Sequence, residues 1–165
     1  MKVIPLTQGK FALVDDADFE RLSKHKWCAT KGGHTFYAQR AIRLPDGKWT
    51  TIMMHREILD LGYGDPRESD HIKHNGLDNR RDNLRICTSS QNQQNRNIQK
   101  HFSSAYKGVS WSKYHKKWHV KVKINKKSIH IGYFVSEIKA AKAYDARALQ
   151  IFGEFALPNF NYERV

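Results

Sequence analysis

Residues 70–92 run DHIKHNGLDNRRDNLRICTSSQN, and up to Arg85 this stretch offers almost nothing to bury in a core. A carboxylate and an imidazole stand side by side at Asp70-His71. Four asparagines follow at Asn75, Asn79, Asn83 and Asn92, and Asn75-Gly76 is a turn sequence. A segment this polar usually owes its place to a metal or ligand rather than to packing. Neutral imidazole suits proton removal near pH 7. Carboxylate and amide oxygens suit a hard cation such as magnesium.

Upstream, Met54, Ile58 and Leu61 recur at helical spacing until Gly62 and Gly64 break the run. His34–Arg43 and Gly47–Ile52 flank Pro45-Asp46-Gly47 and predict a hairpin. Lys2–Leu6 and Lys10–Val14 predict short strands about a Gln8-Gly9 turn, and Asp16 is placed to cap a short helix on which Phe19 and Leu22 share a face. Downstream, Ser89–Ser104 is rich in Gln, Asn and Ser, with only Ile98 and Phe102 large and apolar. Its first part predicts a polar helix opening near Thr88, and its last part a linker.

The chain has 165 residues and a formal charge of +13. Such a surplus implies a polyanionic partner, nucleic acid before an anionic membrane. No apolar run reaches membrane-spanning length, and the polar start MKVIPLTQGK lacks a signal-peptide core, so a cytoplasmic protein is expected. Residues 1–100 carry a net +5 and residues 101–165 a net +8, and no acidic residue lies between His101 and Ser136. The contrast predicts two modules with different tasks. Cys28 and Cys87 belong to no CxxC pair, which argues against a disulfide framework or a cysteine zinc site and predicts two reduced, partly buried thiols.

With its D-H and N-N-R-x-x-N-L-R elements, here Asp70-His71 and Asn79–Arg85, the central segment resembles the HNH nucleases. Their fold is the ββα-metal, or His-Me, finger. The likeness is greatest to the phage and intron homing endonucleases, and it spans roughly Thr51 to Arg96 with the upstream Met54-His55-Arg56. The resemblance implies that His71 is the general base at the end of the finger's first strand. It implies that Asn83 holds the imidazole through its other ring nitrogen or the adjacent backbone. Asp70 and Asn92 would bind the metal, with Gln91 or Asn95 as alternatives to Asn92. Arg56 and Arg85 are assigned phosphate contacts. His71 and His74 form an HxxH pair, but a zinc reading would remove the base and lacks a third ligand. No structural zinc is expected.

Between Ser103 and Tyr162, Trp118, Val120, Val122 and Ile124 alternate with His119, Lys121, Lys123 and Asn125. This predicts a strand with one apolar and one cationic face. Ser128–Ile131 continues the alternation after an Asn125–Lys127 turn, and Ser136 can cap an alanine-rich helix from Glu137 to about Phe152, closed by Gly153. The segment resembles the DNA-binding domain of plant ethylene-response factors. Tyr106–Val109, Trp118, Gly132-Tyr133-Phe134, Ala140–Asp145 and Phe152–Ala156 carry that likeness. It implies DNA contacts from Lys107, Lys121, Lys123 and His130, with Trp111 and Lys113 beside them. Several family arginines are lysine here, a poorer bidentate reader of guanine, so the plant target sequence does not transfer.

The expected fold is therefore α+β: a β-rich region at 1–50, an HNH finger at 51–97, a linker at 98–104, and a three-stranded antiparallel sheet packed on one helix at 105–162. The expected activity is cleavage of double-stranded DNA with magnesium, or manganese, by a homing-type enzyme of a phage or mobile element acting in a bacterial or phage-infected cell. The alternatives are a DNA-binding regulator that keeps the finger only as structure, and a nonspecific nuclease. A homodimer stays open beside a single nicking chain.

Overall fold

The computed structural model describes residues 1–95, 103–124 and 127–162. The chain is α+β, with small antiparallel sheets and few helices. It forms two compact units, Met1–Ser89 and Ser90–Val165.

The first unit opens with a hairpin of β1 (Lys2–Pro5) and β2 (Phe11–Val14). Gln8 and Gly9 both have positive φ, 61° and 63°, within the five-residue loop Leu6–Lys10 that reverses the chain. Helix α1 (Asp16–Ser23) follows with Asp15, not Asp16, at its N-cap, and with no side-chain cap bond. The Asp15 carboxylate instead accepts a bond from the backbone N–H of Arg81 at 2.8 Å. Next come β3 (Cys28–Gly32), β4 (Thr35–Arg43) and β5 (Trp49–Met53), in spatial order β3-β4-β5. The expected hairpin is β4-β5. Strand β3 was not expected, because Ala29 is its only buried residue and leaves no alternation to read. Helix α2 (Met54–Ile58) ends earlier than the glycines suggest, with Asp60 already at φ 55°. Strands β6 (Glu68–His71) and β7 (Leu84–Cys87) close the unit as a further antiparallel pair, with a 3-10 turn at Arg81–Asn83. One core joins β1, β2, α1, β4, α2 and β7: Ile4, Ala12, Val14, Leu22, Trp27, Ala38, Met54, Ile58 and Leu84. Residues 1–50 thus share their core with the finger's hairpin.

In the second unit, α3 (Ser89–Gln94) starts at the boundary, one residue after Thr88. Strands β8 (Val109–Ser112), β9 (Lys117–Ile124) and β10 (Lys127–Phe134) form an antiparallel sheet in the order β10-β9-β8. Helix α4 (Glu137–Phe152) is capped by Ser136, whose hydroxyl accepts from the N–H of Lys139, and Gly153 follows it at φ 53°. Val109, Val120 and Val122 pack against Ala140, Ala141, Tyr144 and Ala148. Small residues allow that approach. A Cβ on Gly108 would stand 2.0 Å from the Tyr144 ring, and its φ of 76° already favours glycine. Most of the expected linker, 98–102, and Asn125 of the expected turn lie outside the described residues. Among the described residues, no helix is long and apolar enough to cross a membrane.

Asp145, fully buried on α4, ties down the C-terminal segment. It accepts bonds from the backbone N–H of Asn159 (2.7 Å) and Phe160 (3.1 Å), the Asn159 amide (2.9 Å) and the Tyr162 hydroxyl (3.1 Å). Asn159 in turn pairs with the backbone of Lys107 through both its amide atoms. Asp145→Ala removes the acceptor shared by these partly buried donors and is expected to destabilise the unit by about 3 kcal/mol. Hydrogen exchange should then quicken at the amides of β9 and α4; unchanged protection would show that the tail is not anchored there.

Candidate active site

The β6-β7 register sets Asp70 opposite Arg85 and His71 opposite Leu84. Between the strands, the loop is organised by Asn83, which is fully buried. Its Oδ1 accepts from the N–H of Lys73 (2.8 Å), its Nδ2 donates to the carbonyl of Asp78 (2.7 Å), and its own carbonyl accepts from Ile72 (2.9 Å). Asn83 therefore grips the backbone directly after His71. The loop is also stitched to β2, by Leu13 N–H to the Leu77 carbonyl and Asn79 N–H to the Leu13 carbonyl, each 2.8 Å. Gly76 has no unusual φ in this turn; its role is close approach. A Cβ there would meet the Phe36 carbonyl at 2.5 Å and the Tyr37 ring at 2.6 Å.

Asn79, to which the sequence assigns no role, is fully buried and holds its Oδ1 3.4 Å from Nε2 of His71. His71 itself is 6 % exposed. Burial lowers its pKa, while the Asn79 bond and the charges of Asp70 and Asp78 oppose that shift. Burial prevails, so the imidazole is neutral at pH 7, the state a base requires.

The arginines are committed to the scaffold. Arg85 donates to Asp70 Oδ2 from Nη2 (2.8 Å) and Nε (3.2 Å), with both side chains about nine-tenths buried. Arg56 donates to the carbonyls of Arg67, Gly62 and Asp65 and so braces the loop after α2. Arg80 chelates Asp78, and Arg81 chelates Asp18 of α1. The phosphate contacts assigned to Arg56 and Arg85 would have to share these guanidinium groups. Asn92 and Gln91 lie on α3 and Asn95 directly follows it, so all three candidates for the second metal ligand belong to the second unit. Cys87 is buried, which pushes its thiol up to about 11, whereas Cys28 is exposed rather than partly buried.

A further imidazole reaches His71. From the Met54-His55-Arg56 motif the sequence suggests Arg56 as functional, yet His55 is the residue that α2 places at the site. Its ring makes an edge contact with the His71 ring, with centroids 4.7 Å apart at 75°, and Tyr37 completes the triangle at 5.8 Å and 5.7 Å. His55 is 8 % exposed, and its Nδ1 has no hydrogen-bond partner among the described residues. Burial first, then the nearby His71 and Arg56, hold its pKa down to about 3.

In the second unit, Lys121, Lys123 and His130 lie on the sheet face away from α4, because Val120 and Val122 turn inward. His119 joins them, its Nε2 2.8 Å from Nδ1 of His130. Partial burial leads in lowering its pKa, followed by His130, Lys121 and His115. Lys113 is exposed before β9. Two other sequence-assigned contacts are placed differently. Trp111 pairs with Trp118, on the face toward α4, with ring centroids 5.0 Å apart. Lys107 is half-buried and donates from Nζ to the Gln94 carbonyl, and burial pushes its pKa down to about 8.

The depressed histidines set the acid stability of the first unit. His55 binds a proton near 6.5 when unfolded but only near 3 when folded. Its contribution is thus complete above pH 6.5 and lost as pH falls, at about 1.4 kcal/mol per pH unit in that window. His71 acts in the same direction. The melting temperature should fall from pH 7 to pH 5, and His55→Phe should flatten the slope. An equal slope in both proteins would mean that His55 is not buried in its neutral form.

No protein-family model matches the chain, so the likeness of the second unit to the plant domain rests on the residues that suggested it. Over 158 residues the chain is 33 % identical to an uncharacterized HNH endonuclease of Acanthamoeba polyphaga mimivirus, a match that takes in 92 % of this chain and 76 % of the viral protein. At that identity and coverage, together with a hairpin that ends in Asp70-His71 and is clamped by Asn83, the chain belongs to the HNH endonuclease family.

Proposed function

We propose that the chain is a metal-dependent endonuclease that hydrolyses phosphodiester bonds of double-stranded DNA, of the site-specific homing type found in phages and mobile elements. The observation that supports this best is the buried, neutral imidazole of His71, set next to Asp70 and fixed between Asn79 and the Asn83-clamped loop. His71 takes the proton of the attacking water. Asn83 positions it through the backbone. A divalent cation, magnesium or alternatively manganese, supplies charge stabilisation at the leaving oxygen when bound.

The donor set fits such a hard cation. Asp70 offers a carboxylate oxygen and Asn92 is the further oxygen donor this reading assigns; among the described residues no group of three His, Cys, Asp or Glu side chains is placed to hold a metal ion by itself. Magnesium keeps several waters and needs only one or two carboxylates plus substrate phosphate. The outer sheet face of the second unit, with Lys121, Lys123 and His130, would hold the DNA backbone.

His71→Ala should lower the single-turnover rate of magnesium-dependent plasmid cleavage by about 10²–10⁴-fold. DNA affinity should stay within about twofold, since the imidazole supplies no phosphate contact in this reading. Equally uncut DNA from wild type and variant, across divalent metals, would favour a non-catalytic regulator. A Lys121→Ala, Lys123→Ala double variant should reduce the slope of log affinity against log salt by about 2, roughly one for each phosphate no longer neutralised. An unchanged slope would remove the second unit's sheet from the interface.

A further inference from the structure

The outer face of the second sheet holds a stack of rings besides its lysines. His119 and Tyr133 are directly opposed across β9 and β10, with centroids 5.0 Å apart and planes 27° apart. His130 stacks on His119 at 4.9 Å and 27°, and also lies 4.9 Å from Tyr133. His115 packs on Tyr133 at 4.0 Å.

A backbone irregularity makes the stack. Positions 130 and 133 differ by three, so in a regular strand they would point to opposite faces. The register of β10 shifts between His130 and Gly132, leaving His130 opposite Lys121 and Tyr133 opposite His119. Both side chains then emerge on the cationic face, while Phe134 returns to the core.

Centroid spacings near 5 Å equal the distance between strands, so the near-parallel planes of His119 and Tyr133 face each other along the sheet and turn their edges outward. Those edges bear the phenol hydroxyl and the imidazole nitrogens other than His119 Nε2 and His130 Nδ1, which bond each other. Stacking and the 2.8 Å bond between His119 and His130 hold the rings still. The lysines beside them are flexible point charges.

We infer that the His119–Tyr133–His130 ring stack reads base edges in duplex DNA, whereas Lys121 and Lys123 hold phosphates without choosing sequence. This rests on the proposed DNA contact of the second unit. It places base choice in residues made adjacent by the bulge.

The test is selection by the full chain from a randomised duplex pool, without metal, for wild type, His119→Phe, Tyr133→Phe and Lys121→Ala/Lys123→Ala. The first two keep a ring and remove only its polar edge, so melting temperature and salt slope should not change. Each should lower discrimination at one or more base positions by about tenfold. The lysine pair should lower the salt slope and leave the selected sequence as in wild type. Three results would overturn the inference: ring variants that select the wild-type sequence with equal discrimination, a wild type without preference, or a preference that moves only with the lysines. An unchanged salt slope in the lysine variant, with binding retained, would instead reject the underlying contact of this face with DNA.

Discussion

One buried amide holds the first unit's polar centre together. The loop from Ile72 to Arg80 has almost no apolar side chain to fix it, so its shape must come from hydrogen bonds. Asn83 provides them by bonding backbone groups on both sides of the turn, at Lys73 and Asp78, from a position closed to solvent. Water cannot compete there, so these bonds count for more than exposed ones. His71 ends β6 immediately before the clamped residues, and its placement follows from the clamp. Asn79 lies within the same loop, reaches Nε2, and is anchored by Leu13 of β2. The N-terminal hairpin is therefore part of what holds the site.

That dependence explains what could be read in the sequence and what could not. Asp70-His71 and Asn83 stand in a compact motif, and the hairpins about Gln8-Gly9 and Pro45–Gly47 carry local turn chemistry. The strand and helix of the second unit show clear periodicity. Each is a short-range signal. Asn79 and His55 stand inside such motifs, but their roles are not legible there: an asparagine among four, and a histidine beside an arginine, gain meaning only from contacts across the fold. Strand β3 was hidden for a related reason, since a strand with one buried residue has no alternation. The arginines misled in the opposite sense. In a basic chain Arg56 and Arg85 read as phosphate ligands, yet Arg56 is fastened to backbone carbonyls and Arg85 to Asp70, partners that no sequence spacing reveals.

The second unit shows how a pattern read correctly can still misplace a side chain. Alternation along β9 gives the right faces throughout. Along β10 it holds only to His130, because one irregular step then exchanges the faces and brings Tyr133 out. Such a step costs ladder hydrogen bonds and persists where the redirected side chains compensate. Here they compensate by stacking on one another across the strands.

The Asp70–Arg85 pair bears on how a cation could act at this site. Both groups are nearly enclosed, and removing either partner of such a pair costs about 3–5 kcal/mol because the remaining charge is stranded. Asp70 is thus aimed by a residue on the adjacent strand before any metal arrives. A metal drawing on the same carboxylate would bring a second positive charge close to the guanidinium. Mutual repulsion would then weaken binding until phosphate oxygens supplied the missing negative charge.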